Sequence, residues 1–515
     1  MNTLAEAFID TTNTFGYRTG SYVFFRYFTR EACKSMETDQ TLETARWDMF
    51  ELRLSGPKDG NPFREVELTG VFSTGNRTVE VAGFYDDDGN YLIRFMPDSL
   101  GEWRFVTRSS SSQLDGRSGS FKCIAPDVHN HGPVRVRDEA SFAYEDGSRY
   151  TPVGTTCYVW NHQGGTRQEE TLASLARSPF NKIRMCLFPK HYDYNHNEPE
   201  FFAFSGSLTS GFDFSRFNVA YFRHLETRIA ELRALSIQAD IILFHPYDRW
   251  GFSKLPADVD DFYLRYVIAR LSAFRNVWWS LANEYDLMDS KTLLDWDRLF
   301  RIVQVCDPYQ HLRSIHNCRP FYDYSKPWVT HCSIQRWDLS LVSQWAEEYH
   351  KPVVVDECGY EGSIEHRWGN LTPQEMTNRF WEGFVRGGYV GHGETYNRDG
   401  VLWWSHGGSL FGESPKRIEF LRRILEEVPE PGLRSIRWPK IDFACGAVGD
   451  KYFLFYFAGA QPALRPLSLP HGKRYRATVI DAWNMTLTPL EGSYSGECTI
   501  PLPAEPYTAL RLVEE

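Results

Sequence analysis

The sequence predicts an α/β fold: a (β/α)8 TIM barrel with a β-sandwich before it and a small β-domain after it. Between about residues 150 and 430, eight apolar, strand-like runs alternate with amphipathic segments of helical period. Eight such repeats over about 250 residues are typical of this barrel. Short strands with Gly and Pro turns precede this region, and strands return after it. We therefore expect an N-terminal arm at 1–40, a β-sandwich at 41–125, the barrel at 126–428 and a C-terminal β-sandwich-like domain at 429–515.

The two flanking regions are predicted from strand patterns. Turn signals, including an Asp-Gly pair within Asp86–Asn90, separate the N-terminal strands. The predicted N-terminal strands are Ser21–Phe28 in the arm and Trp47–Leu54, Arg64–Phe72, Arg77–Phe84 and Tyr91–Met96 in the sandwich. The predicted C-terminal strands are Tyr452–Phe457, Tyr475–Asp481, Glu497–Ile500 and Ala509–Val513.

The barrel prediction rests on an ordered series of elements. The eight strand-like runs are Pro152–Val159, Asn181–Phe188, Gln238–Phe244, Asn276–Ala282, His311–His316, Val329–Ile334, Pro352–Glu357 and Gly388–Thr395. The helical patterns between them are Arg167–Arg177, Phe217–Leu235, Val259–Phe274, Leu293–Val305, Leu339–His350 and Pro373–Arg386. Residues 317–328 are too short and polar a stretch for a full helix. An open doubly wound sheet is the alternative, but the chain has no GxGxxG or Walker motif to support it.

The composition is that of a globular protein and argues against several classes of partner. Hydrophobic residues make up 42% of the 515 residues and charged residues 24%. The formal net charge of −11 argues against nucleic-acid binding, because phosphate contacts need clustered Lys and Arg. No apolar run approaches the roughly 18 residues of a membrane span, and no secretory signal is evident. Ten scattered cysteines without a CxxC pair favour reduced thiols, so we expect a cytoplasmic protein.

Two glutamates follow predicted barrel strands at the end where barrel enzymes place their reacting groups. Glu284 follows the fourth strand and Glu357 ends the seventh. The strand period of two would put Ser280 and Ala282 with Glu284, and Val353 and Val355 with Glu357, on faces toward the barrel interior. Two carboxylates across a cavity suit glycosidic cleavage: one protonates the leaving oxygen, and the other attacks the anomeric carbon or activates water. A glutamate on its own would be better explained as a solvated or ion-paired residue.

These residues also resemble a known family. Asn283-Glu284 and Glu357 resemble the catalytic pair of glycoside hydrolase clan A, the family 5-like retaining glycosidases. The chain is more closely similar to a bacterial group of such proteins, which have an uncharacterised β-sandwich before the barrel and a small β-domain after it. The sandwich fingerprint reads Trp47…Phe50-Glu51, Asn61-Pro62-Phe63, Gly83-Phe84-Tyr85, Arg94-Phe95-Met96-Pro97 and Gly101-Glu102-Trp103.

The resemblance implies roles for individual residues. Glu284 would be the acid/base and Glu357 the nucleophile of a retaining mechanism. Asn283 would bind the sugar hydroxyl next to the anomeric carbon, and Arg184 would hydrogen-bond the nucleophile. The clan often has a Tyr after the sixth strand, but residues 331–337 contain none, so that role stays open.

Further aromatic and His residues at strand ends are predicted to bind substrate, because aromatic faces stack on the apolar faces of sugar rings. The predicted substrate-binding residues are Trp160, His245, His316, His392, Trp403 and Trp404, and a structural role is the alternative for each. Glu394 is the main competitor for a catalytic carboxylate role. No metal or cofactor is predicted: there is no HExxH, and the HxH at 129–131 lies in the linker before the barrel.

Together these patterns predict an exo-acting retaining glycosidase whose partner is an oligosaccharide or glycoside substrate, without nucleic acid or membrane. One alternative is a pentofuranoside-cleaving, apiosidase-like hydrolase, since relatives of that barrel type resemble this chain too. A second alternative is a carbohydrate-binding protein with a degenerate barrel site. Homo-oligomerisation is left open.

Overall fold

A computed structural model describes residues 42–438 and 443–515. The predicted arm at 1–40, with its strand Ser21–Phe28, lies outside the described residues. Within the described ranges, no helix is both long and apolar enough to cross a membrane.

The barrel forms as predicted, within residues 42–438. Its eight parallel strands are β1 (Gly154–Thr156), β2 (Lys182–Cys186), β3 (Gln238–Phe244), β4 (Val277–Ala282), β5 (Arg313–Ser314), β6 (Cys332–Gln335), β7 (Val353–Glu357) and β8 (Tyr389–His392). Their order in the sheet is β5-β4-β3-β2-β1-β8-β7-β6. A parallel bridge between His316 and Ser333 joins β5 to β6 and closes the barrel. Each strand overlaps one of the predicted apolar runs, so the (β/α)8 prediction is confirmed.

Helices follow most of the strands and cover the outside of the barrel. They are α1 (Gly165–Leu175), α2 (Val219–Ala234), α3 (Ala257–Leu271), α4 (Leu293–Cys306), α5 (Val342–Tyr349), α6 (Pro373–Val385) and α7 (Ser414–Glu426). The first six overlap the predicted helical patterns, while α7 was not predicted. Residues 317–328, all of them described, contain no helix, as expected from their polar sequence.

The starts of these helices have identifiable sequence causes. Thr292 begins α4 with a capping box, since its hydroxyl accepts from the Asp295 N–H while the Asp295 carboxylate accepts from the Thr292 N–H. Thr372 caps α6, and Pro373 occupies the first helical position, where a missing N–H costs nothing. The helices therefore begin where the chain leaves the loops on the cleft side of the barrel.

Separate β-sheets flank the barrel. Among the described residues, the N-terminal region has a five-stranded and a three-stranded sheet. The strands of the first are Glu43–Ala45, Ser118–Ile124, Gly101–Ser109, Leu68–Thr74 and Arg77–Ala82, and those of the second are Phe50–Ser55, Asn90–Phe95 and Phe84–Tyr85. The predicted strand at Arg64–Phe72 begins later than expected, because Pro62–Glu65 forms a helical turn.

The C-terminal region is also built of strands, within 434–438 and 443–515. One sheet contains Arg434–Ser435, Ala444–Val448, Tyr452–Tyr456, Thr508–Glu514, Tyr475–Asp481 and Thr486–Pro489, and a two-stranded sheet pairs Leu464–Ser468 with Glu497–Pro501. All four predicted strands are present in these sheets. The domain boundaries themselves stay predictions.

The lower end of the barrel is closed by a small sheet that the sequence did not reveal. Its strands are Val134–Asp138, Ser141–Tyr144 and Arg149–Tyr150. The Phe142 ring lies 5.4 Å from the ring of Trp278 on β4, and the Tyr150 ring lies 6.1 Å from it. This apolar contact plugs the end of the barrel opposite the strand C-termini.

A cluster of paired charges fills the barrel interior above this plug. The Lys182 ammonium lies 2.7 Å from Asp240 and 2.8 Å from Asp356. Ser333 donates a hydrogen bond of 2.6 Å to Asp356. Arg184 lies above them, with Nε 3.9 Å from Asp240 and 4.0 Å from Asp356. All these side chains are buried, so each charge depends on the others for compensation.

The predicted inward face of β7 is wrong for Val353 and Val355. These two side chains belong to the apolar cluster shared with the helices, whereas Val354 packs with the apolar plug and Asp356 with the interior charges. The pairing of β7 with β6 skips Asp356, which marks a β-bulge. The bulge interrupts the alternation of side chains between the two faces of β7. Consecutive residues Asp356 and Glu357 therefore both point inward, and Glu357 reaches the cleft.

Buried ion pairs join the sandwich to the barrel helices. Arg270 of α3 is fully buried and binds Asp86 of the sandwich at 2.9 Å and Glu226 of α2 at 2.6 Å. Arg94 of the sandwich binds Glu226 at 2.8 Å and donates to the Arg270 carbonyl at 2.9 Å. The sandwich is thus held to α2 and α3 by charges that have little access to water.

We expect Arg270→Met to lower the free energy of unfolding by about 3 kcal/mol, because it leaves buried carboxylates with fewer partners. Arg223→Met is the matched control: Arg223 also binds Asp86, at 2.9 Å, but its side chain is 53% exposed. Its loss should cost at most about 1 kcal/mol. Denaturant unfolding of both variants measures this difference, and equal losses would contradict the role assigned to the buried contact.

Candidate active site

A cleft of about 770 Å³ opens at the C-terminal end of the barrel strands. Because the other end is plugged, this cleft is where the barrel interior meets solvent. Loops after most of the strands contribute to its wall. The lining includes Tyr158, Lys190, Tyr192, Tyr194, Tyr247, Glu284, Gln335, Trp337, Glu357, Tyr360, Trp368 and Trp404.

Glu284 enters the cleft through an unusual backbone conformation. Its φ of 51° and ψ of 55° are left-handed, a region that residues other than glycine seldom adopt and that often marks functional sites. The conformation ends β4 and begins a short helical turn, where the Tyr285 N–H donates to the His316 carbonyl at 3.0 Å. The Tyr247 hydroxyl donates to the Glu284 carboxylate, and Asn283 Nδ2 donates to it at 3.2 Å.

Glu357, at the end of β7, is bound by a different set of donors. Arg184 Nη1 donates to its Oε1 at 3.3 Å, and the Tyr158 hydroxyl donates to the same oxygen. Burial raises the pKa of Glu357 to about 8. A hydrogen bond from the Tyr360 hydroxyl acts in the opposite direction. The Arg184 guanidinium and the Tyr158 hydroxyl also favour the charged carboxylate.

Asn283 connects the two glutamates. Its Oδ1 accepts from Arg184 at 3.2 Å and from Tyr158 at 3.0 Å, and both of these donors also bind Glu357. Its Nδ2 donates to Glu284. The two carboxylates are therefore held in one hydrogen-bonded network at the mouth of the barrel.

Two residues from β5 and β6 complete the floor of the site. His316 is fully buried, with Nε2 3.8 Å from Glu357 Oε1. Burial and the Arg184 charge hold the pKa of His316 well below its usual value, so its ring is neutral. In the amide orientation that matches the surrounding donors and acceptors, the side-chain nitrogen of Gln335 donates a hydrogen bond of 3.3 Å to Glu284 Oε1. Gln335 thus occupies the end of β6, the position whose role the sequence left open.

One wall of the cleft is aromatic. The Trp404 ring lies 4.9 Å from the ring of Trp368, 5.4 Å from that of Tyr192 and 5.7 Å from that of Tyr360. Such flat apolar surfaces beside polar groups suit a sugar, which has apolar C–H faces and polar edges. Trp404 is therefore brought to the cleft, as predicted for a substrate-binding residue.

Other predicted binding residues do not line the cleft. Trp403 donates from Nε1 to Thr155 at 2.9 Å, and the same hydroxyl lies 3.1 Å from His392 Nδ1. Trp160 is buried in the main apolar cluster. His245 binds the Phe188 carbonyl at 3.2 Å, and burial lowers its pKa to about 4. These four residues pack behind the site, because the direction of a side chain at a strand end is set by the following loop.

Glu394, the competing carboxylate, is likewise turned away from the cleft. It accepts from the N–H groups of Phe411 and Gly412, both at 2.7 Å. Burial raises its pKa to about 7. These hydrogen bonds connect the end of β8 to the loop before α7, so Glu394 has a structural role.

The sequence did not single out several residues that contact the glutamates. Tyr158, Tyr247 and Gln335 bind the catalytic candidates directly. Tyr158 lies near the end of the first predicted strand, so its position was readable although its contact was not. Among the described residues, no group of three or more metal-ligating side chains is present, and His131 of the linker pairs with Asp146 at 2.7 Å.

Solved structures give a consistent comparison. The chain is 39% identical to a candidate glycoside hydrolase from Bacteroides vulgatus ATCC 8482, with a TM-score of 0.88 over 92% of this chain and 100% of that one. It is 16% identical to a glycoside hydrolase family 5 protein from the same organism, with a TM-score of 0.60 over 74% and 94% of the two chains. The second similarity shows the fold alone. None of the curated proteins matches the chain.

Family comparisons cover all three regions. Residues 43–110 match a domain of unknown function, DUF5060, and residues 441–513 match another, DUF5605. Residues 137–431, more than half of the chain, match the family described as "Apiosidase-like, catalytic domain". The expected resemblance to barrel glycoside hydrolases with extra domains at both ends is confirmed. The chain belongs to the apiosidase-like family of glycoside hydrolases.

Proposed function

We propose that this glycosidase is a retaining, exo-acting enzyme for short oligosaccharides or glycosides, with Glu284 as acid/base and Glu357 as nucleophile. The observation that supports this most directly is the shared network through Asn283, which joins carboxylates at the ends of β4 and β7 in one cleft. A cleft of about 770 Å³ suits a few sugar rings.

The two steps of the proposed reaction use these groups in turn. In the first, Glu357 attacks the anomeric carbon while Glu284 gives its proton to the departing glycosidic oxygen, so that a glycosyl ester forms as the glycosidic bond breaks. In the second, Glu284 takes a proton from water, the water oxygen attacks the anomeric carbon, and the Glu357 carboxylate leaves. Two inversions give net retention.

The different partners of the two glutamates support the division of roles. Glu357 accepts from the Arg184 guanidinium, a permanent positive charge, which favours the ionised form that a nucleophile needs. The hydrogen-bond partners of Glu284, namely Tyr247, Asn283 and Gln335, are neutral.

The family match favours a second candidate substrate class. An apiosidase-like catalytic domain covers the barrel, so pentofuranosides are the alternative to pyranosides. A panel of aryl apiofuranosides, arabinofuranosides and pyranosides of both anomeric configurations decides between them. Turnover of the furanosides alone would establish the alternative.

We also propose a cytoplasmic location. All nine cysteines in the described residues are free thiols, as is usual in a reducing compartment. Homo-oligomerisation stays open, and light scattering of the purified chain would test it.

We expect Glu284→Ala and Glu357→Ala to fail in different ways. Loss of the nucleophile should abolish turnover of every substrate, whereas loss of the acid/base should cost about 10²–10⁴-fold on poor leaving groups and much less on acidic ones. Azide should rescue Glu284→Ala and give a glycosyl azide of retained configuration, while Glu357→Ala should give the inverted azide or no product. Equal losses on all leaving groups, without azide rescue of either variant, would refute the assigned roles.

The pH dependence should report the buried nucleophile. Because burial raises the pKa of Glu357 to about 8, its ionised fraction falls as the pH drops through this region, and the activity of Glu284→Ala on substrates with acidic leaving groups, which need no acid, should fall with it. Tyr158→Phe removes a donor that favours the charged form. In the Glu284→Ala background, the acidic limb of the kcat/KM profile should then move to higher pH by about one unit, a roughly 10-fold loss on that limb.

Tyr247→Phe is the matched comparison, because Tyr247 donates to Glu284 and not to Glu357. In the same Glu284→Ala background it should leave the acidic limb in place. An acidic limb that moves equally in both variants, or in neither, would show that Tyr158 does not set the ionisation of the nucleophile.

A further inference from the structure

Lys190 is a buried cation in the cleft whose charge the proposed reaction does not use. It follows β2, its side chain is 2% exposed, and it lines the cleft. Its ammonium lies over the rings of four aromatic residues. The distances from Nζ to the ring centroids are 3.5 Å for Tyr158, 4.2 Å for Tyr247, 4.8 Å for Tyr192 and 5.6 Å for Trp404.

The other well-buried lysines of the described chain have carboxylate partners. Lys182 binds Asp240 and Asp356 at 2.7 and 2.8 Å, and Lys291 binds Asp260 at 2.5 Å. Lys190 Nζ makes neither an ion pair nor a hydrogen bond with any described residue, although an ammonium carries three donors. Aromatic faces attract the cation but do not satisfy its N–H groups. Burying such a charge is costly unless a partner is supplied.

The position of Lys190 indicates where that partner would lie. The rings beneath the ammonium belong to Tyr158 and Tyr247, whose hydroxyls bind Glu357 and Glu284 respectively. The ammonium is therefore beside the space between the two carboxylates, where the reacting sugar binds in the proposed reaction.

The chemistry of the reaction makes an ammonium without a contacting anion unfavourable there. The transition state resembles an oxocarbenium ion and gains positive charge on the sugar. A neighbouring cation opposes that charge, and low access to water strengthens the repulsion. A negatively charged substituent on the sugar would remove this cost and would also accept the free N–H groups.

We propose that Lys190 binds an anionic substituent of the reacting sugar, a carboxylate or a sulfate, and so selects glycosides of acidic sugars. This assignment rests on the proposed glycosidase function and specifies its substrate class. Lys190 acts in it as a specificity-determining residue.

The first test compares matched acidic and neutral substrates. Aryl glucuronides and galacturonides are paired with glucosides and galactosides of both anomers, and 6-sulfated galactosides distinguish sulfate from carboxylate. Wild type should prefer one acidic class by at least about 10-fold in kcat/KM. Lys190→Gln, which keeps an N–H donor but no charge, should lose about 10- to 100-fold on that class and little on neutral glycosides. Lys190→Arg should keep part of the preference.

The control variant is Lys58→Met, which removes an exposed lysine of the sandwich. It should match wild type on every substrate. A wild type that prefers neutral glycosides, or a Lys190→Gln variant that loses the same factor on acidic and neutral substrates, would overturn the assignment.

A binding measurement separates this inference from the proposed function. Glu357→Gln is titrated calorimetrically with galacturonate, glucuronate, galactose 6-sulfate, galactose and glucose, with and without Lys190→Gln. Tighter binding of an acidic sugar that disappears with Lys190→Gln is expected. If that result holds while wild type cleaves no glycoside, the proposed function fails but the anion site stands. Equal binding of acidic and neutral sugars would overturn the anion site even in an active enzyme.

Discussion

The guanidinium of Arg184 is the contact on which the site depends. Below it lie Asp240 and Asp356, at 3.9 and 4.0 Å, and above it lie Glu357 and Asn283, at 3.3 and 3.2 Å. One buried cation thus links the charges of the barrel interior to Glu357 and Asn283 at the mouth of the barrel. Because Arg keeps its charge at any ordinary pH, the link is permanent. It also opposes the burial that raises the pKa of the Glu357 carboxyl group.

The rest of the barrel provides the conditions for this contact. Paired charges are tolerated inside a protein only when their geometry is good and further hydrogen bonds satisfy their remaining donors and acceptors. The plug around Phe142 closes the lower end, and the bulge in β7 lets Asp356 and Glu357 both face inward. The strained backbone of Glu284 turns its carboxylate into the cleft, away from the β4 strand direction. The bulge and the backbone of Glu284 thus position the three carboxylates of the network.

Much of this could be predicted from the sequence, for physical reasons. Barrel strands are buried on both faces, so they read as continuous apolar runs, and polar residues at their ends mark the cleft. Glu284 and Glu357 were found in this way, whereas the roles expected for Asn283 and Arg184 came from the family resemblance. The β7 bulge could not be read, because it depends on pairing with β6. The positions of residues such as Trp403 also depend on loop geometry, which periodicity does not contain.

The most direct test of the account is to identify the residue that becomes covalently attached to sugar. The reagent is an activated 2-deoxy-2-fluoro analogue of a glycoside that the enzyme cleaves. It forms the glycosyl ester, and the ester is then hydrolysed slowly because fluorine destabilises the oxocarbenium-like transition state. Mass spectrometry of the digested protein should find one sugar on the peptide that contains Glu357. A label on Glu284 or Glu394, or no label together with a first product of inverted configuration, would contradict the account.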